Sequence, residues 1–76
     1  MLPNTVTTIH QLNIGDRFYK LQDKTKTVWE KVEGEVKKTY YQTYRHFAKR
    51  DNDKFSQPFQ SSTPVVFLRQ KQTAHA

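Results

Sequence analysis

Apolar and polar residues alternate in short runs along this chain, and polar turns break those runs repeatedly. Ile9 and Leu12 stand one helical turn apart, which predicts a short helical turn near residues 9–12. After the Gly15–Asp16 punctuation, Arg17-Phe18-Tyr19-Lys20-Leu21 reads as a strand with Phe18 on one face and Tyr19 and Leu21 on the other. A polar connection containing Asp23-Lys24 leads to Thr27–Val32, where Val28 and Val32 share a face and Trp29 points away from them. Glu33-Gly34-Glu35 reads as a tight turn in which glycine supplies a positive φ.

The stretch from Val36 to Arg50, VKKTYYQTYRHFAKR, admits two periods. Trp29, Val32, Val36, Tyr40, Tyr44 and Phe47 recur at helical spacing. Gly34, the β-branched residues and the clustered tyrosines favour a strand instead, because branched and aromatic side chains lose rotamer freedom in a helix. As one long strand, the segment carries Tyr40, Gln42, Tyr44, His46 and Ala48 on one face, and Tyr41, Thr43, Arg45, Phe47 and Lys49 on the other. Asp51-Asn52-Asp53 predicts a hairpin turn into Lys54–Gln57, Pro58 either stops a central strand or places it at an edge, and Val65–Leu68 is expected as a short strand buried on both faces. The expectation is an all-β domain of about five strands, a small barrel or a strongly curled antiparallel sheet. Residues 1–8 are expected as an irregular arm, 9–69 as one domain and 70–76 as a disordered tail.

LNIGDRFYKL followed by KTVWEKV resembles the opening of small SH3-like barrel proteins of phage and plasmid type. The resemblance covers the first half of the chain and implies a five-stranded SH3-like barrel. It carries no shared catalytic set, and the tyrosine-rich second half stands outside it.

Composition bears on partners more than on fold. With 76 residues and a 34% hydrophobic share, the core must be thin; aromatics at 13% compensate because each ring buries a large area. Thirteen Lys+Arg against seven Asp+Glu give a formal charge of +6, which favours polyanionic partners. The absence of cysteine excludes disulfides, thiol chemistry and cysteine-ligated zinc. No apolar run approaches a membrane span, and the start MLPNTVTTIHQL lacks the pattern of a secretory signal, so a cytoplasmic protein with no membrane partner is expected.

Candidate chemistry is sparse. There is no Gly-rich phosphate cradle and no HExxH motif. His10 and His46 would need Asp16 or Asp51 beside them to hold a metal, and Asp51-Asn52-Asp53 lacks the glycine and terminal glutamate of a calcium loop. Glu30 with Glu33 or Glu35 as paired acids has no pocket that the sequence reveals. The expectation is therefore a non-enzyme with no cofactor and no metal. Basic and aromatic residues instead interleave around one hairpin: Lys37, Lys38, Tyr41, Arg45, Phe47, Lys49, Arg50 and Lys54. Such a set suits DNA or RNA, with cations on phosphates and rings on unpaired bases. The alternative is a protein partner or a homodimer, an adaptor or inhibitor module of a mobile element, that buries the same Tyr41 and Phe47 face.

Overall fold

A computed structural model describes residues 2–70, and strands carry its architecture. They are β1 (Thr5–Thr8), β2 (Asp16–Lys20), β3 (Trp29–Val32), β4 (Lys37–Lys38), β5 (Thr43–Tyr44), β6 (His46–Lys49), β7 (Gln57–Phe59) and β8 (Pro64–Gln70). Six of them form one antiparallel sheet in the order β1-β8-β2-β3-β6-β7, and β4 and β5 form a separate two-stranded ribbon. No helix among the described residues is long and apolar enough to cross a membrane.

The core grows from one face of the large sheet. Phe18 of β2 lies opposite Trp29 of β3 and Phe67 of β8, and all three are buried. Phe59, on edge strand β7, presents its ring edge-to-face to both Phe18 and Trp29, with centroids 5.8 and 5.1 Å away. Ile9 and Leu12 complete this cluster from a 3-10 turn (Ile9–Gln11), at the place where their spacing predicts one. A few large rings thus supply most of the apolar burial that so small a chain needs.

A buried lysine fastens that turn to the sheet. Lys31 shares the inward face of β3 with Trp29 and is only 6% exposed. Its Nζ donates to the carbonyl oxygens of Leu12 (2.7 Å) and of Ile9 (2.9 Å), the latter shared with the Leu12 N–H that closes the turn. Burial pulls the Lys31 ammonium below its ordinary pKa, and the nearby Asp16 carboxylate opposes that pull. Asp16 is buried too: its Oδ2 accepts the Asn13 N–H at 2.8 Å, closing the turn that enters β2. Gly15 occupies a positive φ of 95° in this turn and donates its N–H to the Lys31 carbonyl at 2.8 Å.

The sheet is open, which corrects the expected five-stranded SH3-like barrel and the strongly curled sheet alike. Among the described residues β1 and β7 remain as free edges and never pair with each other. Closure requires edges that can extend a ladder. Strand β7 has three residues, one of them Pro58, which has no N–H to offer; β1 has four and starts beside Asn4, held at a φ of 62°. Thr5–Thr8, expected within an irregular arm, is paired along its whole length with β8. The tail expected over 70–76 lies outside the described residues apart from Gln70, which ends β8.

The central stretch also departs from a single long strand and from the helical alternative. It folds back on itself between β4 and β5, so a hairpin lies inside the segment expected to be one limb. Gly34 is not a positive-φ turn residue. Its role is steric, because a Cβ there would come within 2.5 Å of the Phe47 ring.

Candidate functional site

The β4–β5 ribbon is an outward continuation of the β3–β6 pair. Glu30, Lys31 and Val32 lie opposite Lys49, Ala48 and Phe47, and farther along Lys37 and Lys38 lie opposite Tyr44 and Thr43. Between these two ladders one limb contains Glu33, Gly34, Glu35 and Val36, whereas the other has only Arg45 and His46. The mismatch prevents the two limbs from keeping continuous register, so the ladder breaks and an arm separates from the sheet. Phe47 fills the join: its ring packs over the bare backbone of Gly34 and is 6% exposed.

Thr39 and Gln42 close the tip of the arm. The Thr39 N–H donates to the Gln42 carbonyl at 2.7 Å, and the Gln42 N–H donates to Thr39 Oγ1 at 3.0 Å. These bonds hold Tyr40 and Tyr41 at the bend, where they are 92% and 88% exposed. The two rings meet edge-to-face, with centroids 4.8 Å apart and planes at 78°. Lys37, Lys38 and Arg45 are exposed on the same arm and make no ion pair among the described residues. From Lys37 to Arg45 the segment reads KKTYYQTYR, three cations and no acid, while Glu33 and Glu35 lie in the neck below it. Gln42 also accepts from Gln60 Nε2 at 3.1 Å, a polar tie from the arm to the loop after β7.

The structure distributes the eight sequence-derived candidates over three environments. Lys37, Lys38, Tyr41 and Arg45 lie on the arm. Phe47 lies in the interior and offers no face to a base. Lys49, Arg50 and Lys54 lie at the other end of the β3–β6 ladder and in the loop beyond it. Arg50 is heavily engaged there: its Nε and Nη2 donate to the Asp53 carboxylate at 3.0–3.2 Å, its backbone N–H donates to Asp53 Oδ2 at 2.9 Å, and its guanidinium lies 5.1 Å from the Trp29 ring. These bonds lower the Asp53 pKa and raise that of Arg50.

Tyr40 is the residue that sequence reasoning missed. Period two placed it with Tyr44, His46 and Ala48 on the face opposite Tyr41 and Arg45, but that rule holds only while the chain stays extended. The available signal was the flanking pair Thr39 and Gln42, polar residues able to bond across a bend.

His46, half-buried at the base of the arm, has its pKa lowered by burial and by the positive charges of Lys31, His10 and Arg45. Among the described residues no group of three or more histidine, aspartate or glutamate side chains is arranged to hold a metal ion. No family model, curated protein or solved structure matches the chain, which leaves the resemblance of LNIGDRFYKL and KTVWEKV to SH3-like barrel proteins without support.

Proposed function

We propose that this chain binds unpaired stretches of nucleic acid through the β4–β5 arm, with Lys37, Lys38 and Arg45 on phosphates and Tyr40 and Tyr41 on bases. One observation carries the reading: two almost fully exposed tyrosine rings stand on a segment with three cations and no acid. Rings so placed contribute little burial to the fold, yet their faces are open to stacking. The formal charge of +6 adds long-range attraction for a polyanion. A cytoplasmic location belongs to the same reading. A protein partner or a second copy of the chain is the other reading, favoured by Val36, which is 51% exposed on the limb leading to the tyrosines.

The test is titration of labelled single- and double-stranded DNA and RNA at two salt concentrations. Single strands bind more tightly than duplexes, and replacing Tyr40 and Tyr41 with alanine weakens binding about tenfold or more per ring. Neutralising Lys37 and Lys38 to glutamine reduces the slope of log affinity against log salt by about two. Absence of binding at low salt, or unchanged affinity in both variants, rejects the proposal. A mass that doubles with concentration in light scattering, and that the tyrosine variant abolishes, favours the second copy instead.

A further inference from the structure

The opposite end of the β3–β6 ladder holds a cleft of about 430 Å³, a size within the usual range for small-ligand sites. We infer that this cleft is a binding site for a phosphodiester group, held between Lys20 and Arg50 beside Trp29. Lys20 Nζ lies 5.0 Å from the Trp29 ring centre and 5.2 Å from that of Phe59. It has no hydrogen-bond acceptor and no acidic partner among the described residues, so its three N–H groups remain available. Arg50 approaches the same ring to 5.1 Å. Asp53 fixes its orientation by engaging Nε and Nη2, and among the described residues no bond takes the Nη1 donors. A cation held in place by a carboxylate on one side and an indole on the other has little side-chain freedom left to lose when it meets an anion.

The remaining wall selects among anions. Asp23 lines the cleft, and its oxygens accept from the Thr25 hydroxyl and N–H (2.6 and 2.9 Å) and from the Thr27 N–H (3.1 Å). The Thr25 hydroxyl first, then these backbone N–H groups, hold the Asp23 carboxyl below its ordinary pKa, so it stays negative at neutral pH. Asp23, with the Asp53 that engages Arg50, offsets the two positive charges of Lys20 and Arg50, so the second charge of a terminal phosphate gains nothing here and the preference for a phosphodiester rests on the wall beside it. Thr63 adds a hydroxyl and Pro64 an apolar surface, so the space beside the phosphate accommodates an attached sugar. This site is independent of the arm, which lies beyond the other end of the ladder.

Trp29 is the chain's single tryptophan, so the cleft carries its own optical probe. The full chain is titrated with the dinucleoside monophosphate TpT, with thymidine and with inorganic phosphate at matched ionic strength, following tryptophan emission. TpT gives a saturable change, thymidine gives none, and inorganic phosphate binds more weakly than TpT. Lys20→Gln weakens TpT binding about tenfold, the value of one charge-assisted hydrogen bond, and Lys20→Arg restores most of it. The Tyr40→Ala, Tyr41→Ala double variant leaves TpT affinity unchanged, so failure of the arm and failure of the cleft are separable. Backbone amide shifts of the unmodified protein give a second readout: TpT moves Thr27 and Thr63. A flat titration, a Lys20→Gln variant that folds and binds as tightly as the original, tighter binding of inorganic phosphate, or amide shifts that spare Thr27 and Thr63 overturns the inference.

Discussion

Two edge-to-face aromatic pairs, nearly alike in geometry, sit in opposite surroundings. Trp29 and Phe59 meet with centroids 5.1 Å apart at 81° inside the sheet's core; Tyr40 and Tyr41 meet at 4.8 Å and 78° in open solvent. Ring geometry alone contributes about 0.5–1.5 kcal/mol, whereas area removed from water contributes much more per buried ring. The inner pair therefore holds the fold, and the outer pair is free to serve as a contact surface. The sharpest way to break this comparison is to truncate one ring from each. Trp29→Ala destabilises the protein by about 3–5 kcal/mol, enough to unfold a domain this small. Tyr41→Ala changes stability by less than about 0.5 kcal/mol. Urea denaturation of both variants checks this, and comparable losses would mean that the arm is part of the core.

The join between the two regions makes the next largest effect. Gly34→Ala puts a methyl within 2.5 Å of the Phe47 ring, which is itself packed in the interior and has little room to retreat. Overpacking of this kind costs about 1–3 kcal/mol. The same substitution combined with Phe47→Leu recovers part of the loss, because the smaller side chain clears the Gly34 position. A double-mutant cycle by chemical denaturation measures the recovery. If the two losses simply add, Gly34 is required for its backbone freedom and not for the close approach.

Much of the inner region is legible in the sequence, and little of the outer one is. Phe18, Trp29 and the Val65-Val66-Phe67 run sit on extended segments bounded by polar turns, and all are buried. Pro58 marks an edge strand because a residue without an N–H cannot serve both neighbours of a central one. Lys31 was not legible: nothing in WEKV says that its ammonium will be turned inward, because its acceptors are carbonyls of a turn far away in sequence. The arm was hidden for a related reason. Its bend at Thr39–Gln42 contains no glycine, proline, asparagine or aspartate, and the strand-forming tyrosines mask it. Once that bend is missed, the two-residue excess in Glu33–Val36 is invisible, and Phe47 falls on the wrong side of the surface.

The smallest predicted effect lies where the arm leaves the sheet. His46 is half-buried there, among the positive charges of Lys31, His10 and Arg45. Burial first, and those charges second, lower its pKa below the ordinary histidine value of 6.5. In the unfolded chain His46 takes up its proton near 6.5, whereas the folded chain resists until a lower pH. Over that interval the unfolded state binds more protons, so stability falls as pH decreases and levels off once the folded form is protonated too. His46→Gln removes this step. The unfolding midpoint of the variant declines less steeply than that of the original protein as pH decreases below 6.5, and the two curves run parallel above it. Equal slopes on both sides would show that His46 titrates alike in the folded and unfolded chain, and that the base of the arm is as open to water as its tip.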